Sequence, residues 1–174
     1  HRRLARWAAL GAESQPLPLL RGVSVIEPAP RLSRPTEGQD LLEDYAAVGL
    51  TLGRHPVALL RGRLAREKCL TAARLNALPH GRPARFAGIV VTRQRPGTAK
   101  DVTFVTLEDE TGTANVVVWR DLADRQHREL IGARLLLVAG RIEREGAVVH
   151  LIARRLADFS HLLGELTAPS RDFR

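Results

Sequence analysis

The sequence is short of cysteine, methionine, lysine and aromatic residues. Its 174 residues include one cysteine, Cys69, and no methionine, and aromatic residues make up 4%. A single cysteine excludes an intrachain disulfide and a cysteine-based zinc site, so a reducing, cytoplasmic setting is expected. No apolar run has the length of a transmembrane helix and no signal peptide is evident, so no membrane partner is expected. The chain begins at His1, and we therefore expect a piece of a longer protein.

Positive charge is abundant and comes almost entirely from arginine. Lysine and arginine total 27 against 19 acidic residues, for a net charge of +8, and the only lysines are Lys68 and Lys100. This balance favours a polyanionic partner, because net charge acts on association and solubility. A GC-rich genome would produce the same arginine bias without any such partner, so charge alone identifies no site.

Residues 85–156 carry the pattern of a five-stranded β-domain. Two alternating segments rich in β-branched residues flank the polar turn 108–112 and predict a β-hairpin. One strand precedes this hairpin, with Gly88 indicating a bulge, and two strands follow it around a short turn that contains glycine. The predicted strands are 85–93, 102–107, 113–119, 133–142 and 148–153, with one helix at 121–130.

This order of elements predicts an OB-fold, an all-β, five-stranded Greek-key barrel with one helix after strand 3. Barrels of this type commonly bind oligonucleotides. Alternation along the strands predicts which side chains fill the interior, although a register error of one residue would place them on the outer face. The predicted core residues are Ile89, Val91, Val105, Leu107, Val116, Val118, Leu135, Leu137 and Ile152.

Proline and glycine divide the remaining sequence into a helical and extended N-terminal appendage and a short C-terminal segment. Helices are predicted near 36–49 and 57–66 from capping residues and apolar residues at helical spacing, and 70–78 is interpreted as a packed coil or one helical turn. The predicted organisation is an upstream helical end with a proline-rich connector at 1–35, a helical linker at 36–83, the OB-fold domain at 84–157, and a C-terminal helix and tail at 158–174.

Carboxylates crowd together at residues 108–110. A metal or acid–base role is the alternative to solvated turn residues, and we favour the turn, because Asp109 and Thr111 suit turn chemistry and no second set of acids completes a metal site. The aspartate, serine and histidine within 158–161 are near neighbours on one helix and do not make a hydrolase triad. The sequence therefore predicts no catalytic residue, no metal ligand and no catalysis by this chain alone.

Binding has a better basis in the sequence. In an OB-fold, the loop between strands 1 and 2 and the loop between strands 4 and 5 flank the nucleic-acid groove. Five cations lie in or beside these loops, and two aromatic residues are candidates for stacking bases. For Phe104 a core position is the favoured alternative, and for Trp119 stacking and core positions are balanced. The predicted binding residues are Arg93, Arg95, Lys100, Arg141, Arg144, Trp119 and Phe104.

Three motifs in register resemble the C-terminal region of bacterial C-family DNA polymerases. Residues 106–112 (TLEDETG), followed by ANVVVW at 114–119 and preceded by RQRPGTAK at 93–100, are similar to the OB region of the error-prone paralogue of the DNA polymerase III alpha subunit. This paralogue serves damage-induced translesion synthesis. Residues 44–56 (DYAAVGLTLGRHP) resemble the segment before that OB domain, and residues 2–7 resemble the end of the helix-hairpin-helix region.

The resemblance implies a non-catalytic C-terminal piece of an error-prone polymerase that binds single-stranded template DNA through its OB-fold. The family's metal-binding aspartates lie in an upstream palm domain, so Mg²⁺ is expected there and no cofactor is expected in this chain. The implied partners are single-stranded DNA, the rest of the polymerase chain, and a sliding clamp or translesion accessory proteins. Residues 15–20 occupy the place of a clamp peptide, but they lack its aromatic residue and contain two prolines.

Two other functions remain open at this stage. In the first, the barrel and the helices of residues 41–64 would form a protein-interaction module that docks on the polymerase core or on accessory proteins. In the second, the chain would be an independent OB-fold nucleic-acid-binding protein. The polymerase-like pattern of the first 80 residues makes the second alternative less favoured.

Overall fold

The computed structural model describes residues 5, 7–9, 35–48, 53–97 and 101–166. Residues 5 and 7–9 are helical. The remaining helices are α1 Glu37–Val48, α2 Pro56–Arg66, α3 Ala72–Asn76, α4 Arg120–Arg125, α5 His127–Gly132 and α6 Ser160–Glu165. The strands are β1 Pro83–Gln94, β2 Val102–Asp109, β3 Gly112–Trp119, β4 Leu135–Glu145 and β5 Val148–Asp158.

The five strands close into a barrel in the order β1-β2-β3-β5-β4. β3 and β5 are parallel, and the other neighbours are antiparallel. β1 pairs with β4 along its first half and with β2 along its second half, and the two registers meet at Ile89. At Gly88 beside this junction, a Cβ atom would lie 2.8 Å from the carbonyl oxygen of Glu108, so the close approach of the backbones requires glycine. The predicted OB-fold is confirmed.

The barrel interior is filled from alternate positions of the strands, as expected for a closed sheet. Val105 and Leu107 of β2 and Val116 and Val118 of β3 are buried in it, as predicted. The predicted residues Leu135 and Leu137 are also buried, but they lie on the outer side of β4, in a separate cluster with helical residues. The inner positions of β4 are Leu136 and Val138, one residue further along the chain.

Three other predicted core residues are placed differently. Val91 is 51% exposed, because it is the additional residue of a bulge in β1, where Val90 pairs with Leu107 and Thr92 pairs with Thr106. Ile152 is half-buried and lies on the outer face, since its neighbours in β5 are the ones that point inward. Ile89 is half-buried and packs against the outer cluster. The prediction of burial is wrong for Val91, whereas Ile89 and Ile152 are partly buried but lie outside the barrel interior.

Two helices cover the outer face of β1 and β4. Val57, Leu60 and Leu64 of α2 form a buried cluster with Leu135 and Leu137 of β4 and with apolar residues of α6. α2 begins with Pro56 at its first position, and the Nδ1 atom of His55 accepts a hydrogen bond from the amide of Val57 at 3.1 Å. The apolar face of α2 is therefore buried within this chain.

The segment between β3 and β4 is helical, as predicted, but it is divided into α4 and α5. Gln126 between them has φ −117° and ψ 40°. Its side-chain amide donates to the carbonyl oxygen of Leu156 at 2.9 Å and accepts from the amide of Leu156 at 2.8 Å. This two-point contact compensates for the break in the helix, and it holds Leu122 and Leu130 in the barrel core.

Candidate nucleic-acid interface

Two exposed aromatic side chains share the outer surface of β2 and β3. Phe104 pairs with Val117, and Trp119 pairs with Val102, two residues away on each strand. Because Val105 and Val118 point into the barrel, Phe104 and Trp119 point outward, and they are 36% and 52% exposed. The prediction that favoured a core position for Phe104 is therefore wrong. For Trp119, where core and stacking positions were equally favoured, the side chain lies on the surface.

The strand register continues this surface around the barrel. Phe104 of β2 lies opposite Val117 of β3, Val117 lies opposite Ile152 of β5, and Ile152 lies opposite Arg141 of β4. We call these four residues the outer row. It covers three inter-strand spacings, roughly 14 Å. Arg141 is exposed and makes no side-chain hydrogen bond or ion pair with residues in the described ranges. The outer row thus leads from an aromatic ring to a cation.

Two of the predicted binding residues hold the fold together instead of facing solvent. Arg93 donates from Nε to the carbonyl oxygen of Leu130 at 2.6 Å and from Nη2 to that of Ala133, at the end of α5. Burial lowers the pKa of the Arg93 guanidinium below its ordinary value. Arg144 donates to the carbonyl oxygens of Asn76 and Leu78, at the end of α3. Both arginines therefore satisfy carbonyl groups at helix C-termini.

The predicted cations form two groups and not a single patch. Arg93 pairs with Val105 towards the end of β1, whereas Arg141 pairs with Pro83 at its start. Arg95 is exposed beyond the end of β1. Lys100 lies outside the described residues, as do residues 15–20 with the predicted clamp peptide.

The acidic turn has the turn contacts between Asp109 and Thr111 that the sequence predicts, but Asp109 is buried and not solvated. Asp109 is 2% exposed and is the buried charged residue of the described chain. Its Oδ2 atom accepts from Arg61 Nη2 at 2.8 Å and from the amide of Ala72 at 2.9 Å. Its Oδ1 atom accepts from the amide and hydroxyl of Thr111 at 2.8 and 2.7 Å. Asp109 is buried because α2 and the start of α3 pack onto it, which its local sequence could not reveal.

The neighbouring carboxylates also face the helices. Glu110 accepts from Arg61 Nε at 2.6 Å and from Nη2 at 2.7 Å, and a Glu108 oxygen lies 3.7 Å from His55 Nε2. Partial burial lowers the pKa of Arg61, but the hydrogen bonds and charges of Glu110 and Asp109 outweigh it and raise this pKa above its ordinary value. A fixed guanidinium beside these oxygens does not fit a metal site. Within the described ranges, no group of three or more potential metal ligands is assembled.

A basic cavity that was not predicted from the sequence lies on the outer side of β1, β4 and β5. Its volume is about 440 Å³, and its lining includes Lys68, Arg85, Arg141 and Arg154. Only Arg141 belongs to the predicted site. The prediction ended strand 5 at residue 153, whereas β5 continues to Asp158 and brings Arg154 into the sheet. The Arg154–Arg155 pair after an apolar strand was the available signal for this part of the cavity.

The serine, aspartate and histidine of residues 158–161 make structural contacts. The Ser160 hydroxyl donates to Asp158 and accepts from the amide of Arg134 at 2.7 Å. The ring of His161 lies 5.9 Å from that of Phe159, between centroids. These contacts fix the start of α6 against the beginning of β4.

Among the described helices, none has the length and apolar character needed to cross a bilayer.

Comparison with known proteins gives the family. Residues 84–158 match the family described as OB-fold nucleic acid binding domain. The chain is 56% identical over 173 residues, 99% of its length, to the error-prone DNA polymerase of Alkalilimnicola ehrlichii, and it covers 17% of that protein. It is 57% identical over 173 residues, again 99% of its length, to the error-prone DNA polymerase of Azoarcus sp. strain BH72, and it covers 16% of that protein.

Among solved structures, the chain is similar to asparaginyl-tRNA synthetase from Pyrococcus horikoshii, with a TM-score of 0.44 and 20% identity over 53% of this chain and 23% of that one. The chain spans about a sixth of the length of the curated relatives, at 16–17%. The similarity to these relatives extends through the helical segment as well as the barrel, since it covers 99% of the chain. Over nearly its whole length the chain is therefore homologous to a segment of error-prone DNA polymerases, as the three motifs in its sequence indicated.

Proposed function

We propose that this chain binds single-stranded DNA on the outer surface of β2 and β3, as the template-holding segment of an error-prone DNA polymerase that acts in translesion synthesis and repair. The observation that supports this function is the exposure of Phe104 and Trp119 on one surface that leads to Arg141. Aromatic side chains hold successive bases by stacking, which tolerates any sequence. Such tolerance suits a segment that must accept every template.

Phosphate contacts complete this interface. Because Arg93 and Arg144 donate to backbone carbonyl groups, we assign them to holding the loop ends in place. We assign the phosphate contacts to Arg95 and Arg141, and Lys100 stays a prediction from the sequence. With about three such contacts, the logarithm of affinity falls against the logarithm of salt concentration with a slope of roughly −2, from about −0.7 per contact.

Fluorescence anisotropy with a labelled oligothymidine tests the stacking surface. A stacked base is worth about 1 to 3 kcal/mol, so Phe104→Ala and Trp119→Ala each weaken binding about 5- to 150-fold while the salt slope stays unchanged. Ile131→Ala is the matched control, because Ile131 is 54% exposed but lies on α5, away from this surface. Wild-type affinity in both aromatic variants, with circular dichroism confirming that they are folded, would contradict the proposal.

We also propose that the chain alone does not extend a primer and that Mg²⁺-dependent chemistry resides in the rest of the polymerase. The supporting observation is that the carboxylates of residues 108–110 face Arg61, His55 and backbone amides. Two-metal phosphoryl transfer requires carboxylates that hold both ions. Primer extension with the purified chain and Mg²⁺ is expected to give no product. Incorporation that disappears in a folded Asp109→Asn variant would overturn this assignment.

A protein-interaction module is the competing function. The burial of Val57, Leu60 and Leu64 inside the chain argues against α2 as its docking surface. The charge reversals Arg95→Glu and Arg141→Glu separate the two functions. If the chain binds DNA, both weaken binding to all sequences alike, because phosphate contacts position a strand without reading it. If the chain serves only protein interaction, single-strand binding is the same in both variants as in the wild type.

A further inference from the structure

The basic cavity on the outer side of β1, β4 and β5 contributes only Arg141 to the function proposed above. Its volume of about 440 Å³ exceeds what a few waters require, and its floor contains the small residues Ala139 and Gly140. Four cationic side chains line it, and no acidic residue of the described chain does so. They are Lys68, Arg85, Arg141 and Arg154.

The register of the sheet explains why the arginines converge there. Arg141 of β4 lies opposite Pro83, and Arg85 of the adjacent strand β1 lies opposite Ala139. The two arginines are therefore near each other on the outer side of the sheet, with the small side chain of Ala139 beside both. In β5, Ala153 pairs with Gly140 and Arg155 pairs with Ala139, which leaves Arg154 as the additional residue of a bulge. A bulge redirects the side chain that it carries. A Cβ atom at Gly140 would lie 2.1 Å from the Ile152 carbonyl oxygen, so this bulge requires glycine.

Lys68 is held at the rim in an unfavourable backbone conformation. It follows the end of α2 with φ 59°, and among the described non-glycine residues it alone has a positive φ. Its amide donates to the carbonyl oxygen of Ala65 at 2.9 Å, which is the arrangement of a helix C-terminus where glycine is preferred. A lysine at a position that favours glycine indicates a use for the side chain, and the ammonium group adds a fourth positive charge to the cavity.

We propose that this cavity binds phosphate groups of a single DNA strand that continues beyond the outer row. Arg141 belongs to both features, so a strand stacked on Phe104 reaches the cavity after roughly 14 Å, or about four nucleotides at 3.4 Å each. Guanidinium groups suit phosphate because they present several donors in a planar fork. This inference rests on the proposed function, since it takes single-stranded DNA as the ligand.

The test compares oligothymidines of two and twelve nucleotides on the 174-residue chain, because two nucleotides are too short to reach from Phe104 to the cavity. The variants are Lys68→Gly, Arg154→Gln and their combination. Arg125→Gln, on α4 outside the cavity, is the control that matches the charge change of each single variant. Lys68→Gly is chosen because glycine suits the backbone at this position, so its thermal unfolding midpoint equals or exceeds that of the wild type. Loss of binding in this variant therefore does not arise from loss of folding.

The expected result depends on length. Removing two phosphate contacts reduces the salt slope for the twelve-nucleotide strand by about 1.4, from about 0.7 for each contact. Between 50 and 200 mM salt, the wild type then loses about sevenfold more affinity than the double variant. The two-nucleotide strand, which does not span from Phe104 to the cavity, binds both proteins alike, and Arg125→Gln retains the wild-type slope. A double variant with the wild-type slope on the long strand would overturn the inference.

Two further arms separate this inference from the function on which it rests. If Phe104→Ala and Trp119→Ala weaken the long strand but the double variant does not, the proposed function stands and the cavity assignment is wrong. Thermal shifts with inorganic tripolyphosphate test the other source of phosphate. If tripolyphosphate stabilises the wild type but not the double variant, and strand binding is unaffected by the substitutions, the cavity takes a free phosphate compound and the strand assignment is overturned.

Discussion

Arg61 in α2 donates a hydrogen bond to the buried carboxylate of Asp109, in the turn between β2 and β3, at 2.8 Å. The same carboxylate accepts from the amide of Ala72 at the start of α3, and Thr111 beside it accepts from the amide of Ala73 at 3.0 Å. Burial of a carboxylate is costly unless its oxygens are supplied with donors. The turn between β2 and β3 is therefore the point at which two helices of the N-terminal segment are attached to the barrel.

Replacing Asp109 tests this attachment. We expect Asp109→Ala to lower the free energy of unfolding by about 3 kcal/mol, because it leaves the amides of Ala72 and Thr111 without an acceptor while Arg61 keeps Glu110. The exposed pair Arg63–Glu165 also joins α2 to another element, and Glu165→Gln is expected to cost less than about 1 kcal/mol. Urea denaturation measures both. Equal, small losses in the two variants would show that Asp109 is not the attachment point.

The stability of the chain is expected to depend on the protonation of His55. Its Nδ1 atom accepts from the amide of Val57, which requires the neutral ring. Burial lowers the pKa of His55 below 6.5, although the charges of Glu108, Glu110 and Asp109 act in the opposite direction. Because the folded-state pKa is below the unfolded-state pKa, this contribution is fully present above about pH 6.5 and is lost as the pH falls towards the folded-state value.

His55→Asn provides the comparison, since asparagine caps a helix without titrating in this range. We expect the wild type to lose stability between about pH 7 and pH 5, and the variant to lose less, as measured by urea denaturation at each pH. The other titratable groups are the same in both proteins, so the difference between them isolates His55. Identical pH dependence would mean that protonation of His55 does not weaken the cap.

The reactivity of Cys69 reports on separation of α2 from the barrel. Its thiol is buried beside Leu64 and Ala87, and burial raises its pKa to about 11. At pH 8 the folded chain is expected to react with iodoacetamide at least about 100-fold more slowly than the chain in urea, because the thiolate is the reactive species. Asp109→Ala is expected to increase the folded-state rate. Fast alkylation of the wild type, without global unfolding, would show that α2 separates readily from the barrel.

The barrel was predictable because strand alternation and turn residues are local signals. The assignment of faces was less so, because a bulge cannot be located from alternation alone, and it displaced Val91 to the surface. Leu135 and Leu137 were predicted to lie in the barrel core because they are apolar. They are apolar for a different reason, since they lie on the outer side of β4, where α2 and α6 cover them. A local pattern does not distinguish a side chain inside a barrel from one beneath a helix.

The candidate site depends still more on long-range contacts. Phe104 and Trp119 were identified as aromatic candidates, but only the register of β2 and β3 places both on one outer surface. Arg93 and Arg144 were assigned to the groove because of the loops in or beside which they lie. Their contacts with helix ends involve residues 40 and 66 positions away in sequence, so no local pattern indicates them. Lys68 and Arg154 line the same cavity only because closure of the barrel brings distant parts of the chain together.

Tryptophan fluorescence shows whether DNA bases stack on the outer surface of β2 and β3, because Trp119 lies on that surface. The chain has two tryptophans, so a Trp7→Phe variant leaves Trp119 as the sole source of tryptophan emission. We predict that oligothymidine quenches this emission in a saturable manner, with the same midpoint as the anisotropy titration, because a stacked base contacts the indole ring. Binding detected by anisotropy with unchanged Trp119 emission would mean that bases do not stack on Trp119.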